Sequence, residues 1–471
     1  MTDTYDVIVL GGGPPGENAA ARAVRGGLTA VLVEHELVGG ECSYWACMPS
    51  KALLRPVELL SDARRTPGVR EAVTGTLDVQ AVLDRRDWFV GKDDGKPFGH
   101  DDGGQVQWLE GARIDLVRGH GRLAGEKTVT VGDRTLTARH AVVLATGTTA
   151  TVPPIPGLRE ATPWTSREVT NAPAAPRRLV VLGGGVVGCE MAQAMRALGS
   201  EQVTMLSRGP LLERYEPYAG QLLAESFAEA GIDVRSGTSV TEVRRPVPSG
   251  EVTLVLSDGS ELVADELLVA VGRTPSTGDV GLDTVGLEPG KYVQVDDSML
   301  ASGDWLYAIG DVTGRNLLTH MGKYQARVAG DVIAARATGG PDDGPGMRAL
   351  ADATWVPQVV FTDPQIGSVG LTESQARDRG LTVRTAEYDM ASVAGASLRG
   401  EGYRGRATMV VDADRGVVVG VTFVGPEIAD LLHSATVAVV GEVPLDRLWH
   451  AVPSYPTVSE VWLRLLETYG L

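Results

Sequence analysis

From Tyr5 the chain turns apolar through Val7, Ile8, Val9 and Leu10, the pattern of a strand buried on both faces of a parallel sheet. A glycine-rich turn, Gly11 to Gly16, comes next, and an alanine-rich stretch running from about Glu17 to Arg25 then reads as a helix. A second apolar run, Ala30 to Val33, ends at Glu34. These patterns predict a βαβ unit with an acidic residue about 20 positions beyond the glycines. The same order returns later: a strand over Arg178 to Leu182, the turn Gly183 to Gly188, a helix over Glu190 to Leu198 and a strand over Val203 to Leu206. Two copies predict two dinucleotide sites, the second inserted as its own domain.

Punctuation by proline and glycine places the joints. Val152-Pro-Pro-Ile-Pro156 and Asn171 to Pro176 precede the second copy, and Arg273-Thr-Pro275 follows it. Gly339 to Gly346 reads as a linker into a C-terminal segment that mixes strand runs (Val356 to Phe361, Ala407 to Val411, Val417 to Val424) with helices. The fold class is α/β: two Rossmann-like dinucleotide-binding domains plus a C-terminal α+β domain. Gly91 to Gln105, rich in Asp and Gly, reads as a solvated surface loop.

With 471 residues the chain exceeds one core and predicts about three domains. Its 59 glycines suit many tight βα turns. A net charge of -17 argues against nucleic acid or an anionic membrane as partner. No apolar run approaches the ~20 residues that span a bilayer. An acidic N-terminus leading straight into a strand predicts no signal peptide. Three cysteines do not make a secreted framework. A cytoplasmic enzyme is the resulting expectation, with no nucleic-acid and no membrane partner and no metal site.

Gly11, Gly13 and Gly16 let the backbone approach a pyrophosphate on the helix N-terminus, and Glu34 suits a ribose diol. Gly183, Gly185 and Gly188 repeat that arrangement, but Ser207 and Arg208 stand where the acidic residue would be. Loss of the carboxylate and gain of Arg208, with Arg214 further on, suits a 2′-phosphate and favours NADPH, with NAD still possible. The bland alternative is that Arg208 is simply solvated. Cys42 and Cys47, five residues apart, are spaced for a local disulfide that opens and closes, a catalytic pair rather than a staple. Cys189 reads as a small packing residue.

These motifs resemble the flavin-dependent pyridine nucleotide-disulfide oxidoreductases, which include dihydrolipoamide dehydrogenase, glutathione reductase, mercuric reductase and soluble transhydrogenase. The resemblance covers nearly the whole chain. Cys42-x4-Cys47-x-Pro49-Ser50-Lys51 is similar to the family's redox signature. Thr146-Gly147 is similar to the end of its first FAD half, and Gly272-Arg273 to its re-entry into the FAD domain. Gly310-Asp311 resembles its flavin-contacting motif, and Phe361 to Pro364 the opening of its dimer-interface domain.

The resemblance implies FAD and NADP as cofactors and a homodimer. It divides the chain into an FAD domain (1–155 and 273–345), an NAD(P) domain (156–272) and a dimerisation domain (346–471). It makes Cys47 the flavin-facing thiolate and Cys42 the outward thiol, and sets Lys51 and Glu190 where hydride arrives. For that last pair an ordinary surface salt bridge is the alternative.

One departure shapes the function. The family's disulfide reductases carry His-Pro-Thr-x-x-Glu near the C-terminus as an acid/base dyad; here Tyr455-Pro-Thr-Val-Ser-Glu460 puts tyrosine at the histidine position. A phenol with pKa about 10 is a poor base at neutral pH. Its use in place of a tuned group costs ~10²–10⁴-fold in thiol exchange. His450, five residues upstream, is a candidate substitute. Mercury specificity is disfavoured because the chain ends Leu-Glu-Thr-Tyr-Gly-Leu471, without a terminal cysteine pair. The expected activity is an NAD(P)H-dependent, dihydrolipoamide dehydrogenase-like flavoprotein that passes electrons through Cys42–Cys47 to a disulfide or other small acceptor. The rivals are a flavin-direct quinone reductase or transhydrogenase with bystander cysteines, and a redox sensor without turnover.

Overall fold

The computed structural model describes residues 2–248 and 250–471. It divides into two compact units. The first comprises Met1–Pro49, Asp87–Thr151 and Gly272–Ala353; the second comprises Ser50–Arg86, Val152–Val271 and Thr354–Leu471.

In the first unit the strand Thr2–Leu10 lies inside a sheet, parallel to Ala30–Glu34 on one side and to Arg134–Leu144 on the other. Asp115–Arg118 and Leu306–Ala308 extend it, both parallel to their neighbours. The apolar run at Val7 to Leu10 follows from this placement. Alternate residues of a strand face opposite ways, so Val7 and Val9 join one core with the helices Pro14–Arg25 and Thr319–Thr338. Ile8 and Leu10 join a second core, with Leu123, Val129 and Leu136, on the other face. Arg22 and Asp331 tie the two helices together by a 2.5 Å ion pair.

The second unit repeats the plan. Arg178–Leu182 is flanked in parallel by Gln202–Ser207 and Glu266–Val269, with Ile232–Ser236 outermost. Leu179 and Val181 face one core, Val180 and Leu182 another. The same unit contains a five-stranded antiparallel sheet in the order Gln358–Val360, Gln365–Gly370, Val417–Gly425, Arg406–Asp412, Val383–Asp389. The α/β class, with two parallel βαβ units and a C-terminal α+β region, matches the sequence pattern.

Three local readings change. Both glycine-loop helices start earlier than their apolar pattern suggests, at Pro14 and Val186. Proline suits the first helical turn, where its missing N–H is not needed. The strand expected over Val356 to Phe361 shortens to Gln358–Val360. The segment from Gly91 to Gln105 is mostly exposed, as expected of a surface loop, but it is not loop throughout. Lys92 bridges to His100, which is 3 % exposed, and the helix Gly103–Gly111 has begun before the segment ends.

Candidate active site

In the first unit, the turn after Leu10 is built by steric exclusion. Gly11 has φ +104°, and a Cβ there would fall 2.3 Å from the Ala145 carbonyl oxygen. A Cβ on Gly16 would fall 2.0 Å from the Gly11 oxygen. Only glycine at both positions lets the loop close on the neighbouring strand. Gly13 caps the helix without a side-chain hydrogen bond, and beyond its chain neighbours a Cβ there would meet only the Pro15 ring, at 3.9 Å. A helix N-terminus without a side-chain cap behind a glycine turn is an anion site in form.

Glu34 closes this loop from the next strand. Its Oε2 accepts the Gly12 N–H and its Oε1 the Glu36 N–H, both at 2.6 Å. Burial works against ionisation, but these bonds and the His35 side chain outweigh it and hold the carboxyl below its usual range. A carboxylate has about four acceptor positions, so capacity remains for a ribose hydroxyl.

Around the same loop, the Thr146 hydroxyl is buried without a protein partner. Arg273 donates to Thr148 Oγ1 at 2.5 Å, and Thr148 Oγ1 donates to Asp311 at 2.8 Å. Burial pushes the Asp311 carboxyl up, opposed by Thr148 and Arg273. Gly147, Gly272 and Gly310 all have positive φ. An orphaned hydroxyl, an open helix end and an ionised diol acceptor together fit a dinucleotide.

The cysteines flank a break between helices. Cys42 lies in Gly40–Tyr44, and Cys47 is the first residue of Cys47–Arg65. Its sulfur lies 3.4 Å from Thr319 Oγ1, at the start of another helix. The sulfur thus lies beside two helix N-termini. Both cysteines are partly exposed.

Between them, Tyr44 and Trp45 are buried against His100, with ring centroids 5.3 and 5.8 Å from the histidine. Tyr44 donates to the Val38 carbonyl at 2.9 Å, and the His100 ring stands 3.1 Å from the Val90 oxygen. This cage holds the connection between the cysteines. Sequence reasoning missed His100, because nothing local to its Asp- and Gly-rich surroundings announces a partner 55 residues upstream.

In the second unit, Lys51 Nζ lies 2.7 Å from Glu190 Oε2. Glu190 is buried, and its other oxygen accepts the Phe361 N–H at 2.9 Å. The Lys51 ammonium sits 4.9 Å from the Phe361 ring centroid. The second glycine loop repeats the exclusions of the first: a Cβ on Gly183 would be 2.3 Å from Ala270 O, and one on Gly188 2.2 Å from Gly183 O. Gly185 faces open space. Ser207 turns inward onto the Gly209 carbonyl at 2.7 Å, while Arg208 and Arg214 are exposed. Burial pushes the Cys189 thiol far up, consistent with a packing residue.

The C-terminal pair is arranged differently from a dyad. Tyr455 is 76 % exposed, whereas Glu460 is buried and accepts from Arg464 at 2.6 Å. The second oxygen of Glu460 is buried without a partner. His450 is exposed.

Among the described residues no helix is long and apolar enough to cross a membrane. Residues 5–334 match the family model described as pyridine nucleotide-disulphide oxidoreductase, and residues 356–465 match that family's dimerisation domain. A dihydrolipoyl dehydrogenase of Thermus scotoductus is 33% identical, over 98% of this chain and 97% of its own. A mercuric reductase of Shigella flexneri is also 33% identical, over 98% of this chain and 80% of its own. In fold, the chain is similar to the HOCl-induced flavoprotein disulfide reductase RclA from Escherichia coli in its Cu(II) complex, with TM-score 0.80, 23% identity and 99% of each chain covered. Members of the matching family are FAD-dependent and use NAD(P)H.

Proposed function

This chain belongs to the pyridine nucleotide-disulphide oxidoreductase family, and from that premise we propose that it oxidises NADPH and delivers electron pairs through a Cys42–Cys47 disulfide to a small acceptor. The observation that carries this reading is Cys47 at the head of its helix, 3.4 Å from Thr319, with Cys42 five residues before it. FAD, when bound, supplies two-electron exchange between nicotinamide and sulfur. Opening the disulfide breaks the S–S bond and takes up two electrons and one proton, the content of one hydride. Cys47 is left as a thiolate at the helix N-termini and Cys42 as the thiol that meets the acceptor.

In this reading Gly11, Gly13, Gly16, Glu34, Thr146, Gly147, Gly310, Asp311, Gly272 and Arg273 hold FAD. Gly183, Gly185, Gly188 and Arg208 hold NADP, and Lys51 with Glu190 serves the hydride. FAD belongs to 1–155 and 273–345, NADP to 156–272, and 346–471 makes a homodimer of an enzyme placed in the cytoplasm. The names of the relatives point to a mercuric ion in one case and a dihydrolipoyl group in the other. For this chain we favour acceptors that release no basic thiolate, such as quinones, metal ions or activated disulfides. A phenol is a poor base at neutral pH, and Glu460 is already engaged by Arg464.

Anaerobic reduction with NADPH tests the scheme. It is expected to expose two thiols to a thiol reagent and to produce long-wavelength absorbance that Cys47→Ser abolishes. Full acceptor turnover by Cys42→Ser would instead establish the flavin-direct reading, and no NADPH consumption with any disulfide, quinone or metal ion would leave a sensor.

A further inference from the structure

We propose that Phe361 is a positioning residue for the Lys51–Glu190 pair, held in place by a clip in which Asp363 grips both helices that carry the pair. The inference rests on the reading of Lys51 and Glu190 as the hydride-handling pair. Lys51 belongs to the helix Cys47–Arg65 and Glu190 to Val186–Ala197. Nothing in either helix by itself fixes the two side chains to one geometry, since a lysine stem has four rotatable bonds.

Phe361 fixes both members. Its backbone N–H donates to Glu190 Oε1 at 2.9 Å, which leaves Oε2 directed to Lys51 at 2.7 Å. Its ring lies 4.9 Å from the Lys51 ammonium, within the range at which a cation is attracted to an aromatic face. One residue thus sets the carboxylate through its main chain and the ammonium through its side chain.

The clip follows two residues on. The Asp363 N–H donates to Gln193 Oε1 at 2.8 Å, one turn beyond Glu190 on the same helix. The Asp363 carboxylate accepts from Ser61 at 2.5 Å and from Arg65 at 2.9 Å, both on the helix of Lys51. Charge-assisted bonds of this kind are about twice as strong as neutral ones. The segment therefore spans from one helix to the other and carries Phe361 with it. A surface salt bridge would need none of this apparatus.

The test uses the FAD-loaded protein with Phe361→Leu, Phe361→Tyr and Gln193→Ala, and Lys51→Met as the reference. Phe361→Leu is expected to slow flavin reduction by NADPH about tenfold, with half-saturation by NADPH changed less than about twofold. Gln193→Ala is expected to slow it about threefold, and Phe361→Tyr, which keeps the ring, to stay within about twofold of the parent. Independently of turnover, acylation of Lys51 by acetic anhydride, read by mass spectrometry, is expected to quicken in Phe361→Leu and not in Phe361→Tyr. Normal flavin reduction in Lys51→Met would refute the hydride-handling reading beneath the proposal. Slow reduction in Lys51→Met together with parent-like rate and acylation in Phe361→Leu would refute the clip alone.

Discussion

Lys51 and Glu190 stand 139 residues apart in the chain and meet at 2.7 Å. Glu190 is 3 % exposed, so its charge is tolerated only because two donors reach it, one on each oxygen. Removing Lys51 leaves that carboxylate with a single neutral donor. Breaking a fully buried pair costs about 3–5 kcal/mol; Lys51 is partly in water, which lowers the expectation to roughly 1–3 kcal/mol. Lys51→Met is therefore expected to lower the denaturant midpoint, and the double variant with Glu190→Gln to recover most of the loss, since no buried charge then remains. Equal loss in the single and double variants would show that lysine packing, not charge, is responsible.

The two glycine loops share one geometry and are assigned different nucleotides, which makes them separable. A methyl group on Gly16 would stand 2.0 Å from the Gly11 oxygen, and one on Gly188 2.2 Å from the Gly183 oxygen. Gly16→Ala is expected to yield protein without its yellow colour, through loss of FAD. Gly188→Ala is expected to stay yellow and fail to be reduced by NADPH, while dithionite still reduces it. Absorbance of the purified variants checks both, and a colourless Gly188→Ala would reverse the assignment of the loops.

What was legible in the sequence was what is local. Gly11 to Glu34 and Gly183 to Ser207 each lie within one βαβ unit, and their spacing alone specifies strand, turn and helix. Lys51 and Glu190 became partners only through the resemblance, because no periodicity connects positions 139 apart. His100 could not be found at all: its burial comes from Tyr44 and Trp45, and its surroundings in the chain are those of a surface loop. The Glu460–Arg464 contact is different, since a spacing of four residues on a helix predicts it.

Glu17 gives the folded protein a pH dependence of definite sign. Burial beneath the glycine loop pushes its carboxyl from 4.5 up to about 7, only partly opposed by Lys323, and one of its oxygens has no protein partner. The folded state therefore keeps a proton that the unfolded chain releases above pH 4.5. Stability is lost as pH rises from there to about 7 and then levels, by roughly 3 kcal/mol from this group at most. Glu17→Gln removes the titration. Its unfolding midpoint is expected to exceed that of the parent at pH 8, with the difference shrinking toward pH 4.5. A difference independent of pH would mean that Glu17 does not titrate in this range.

Restoring histidine at position 455 is the obvious route to an alkyl-disulfide reductase, and the geometry argues that it is insufficient. A histidine acts as a tuned acid/base when a carboxylate orients its ring and stabilises the imidazolium. Here the Glu460 carboxylate accepts from Arg464 at 2.6 Å, a cation one helical turn away that competes for the same oxygens. Its remaining oxygen is buried without a partner, while position 455 is 76 % exposed. Tyr455→His alone is therefore expected to raise turnover of lipoamide or glutathione disulfide less than about tenfold, against the ~10²–10⁴-fold available to a tuned group. Adding Arg464→Leu frees the carboxylate, and the double variant is expected to gain at least a further tenfold, with a pH profile that acquires an ionisation near the histidine range of about 6.5. A full gain from Tyr455→His by itself would show that Arg464 yields the carboxylate readily. No gain from either variant would place the barrier to these disulfides in the shape of the acceptor site rather than in its proton chemistry.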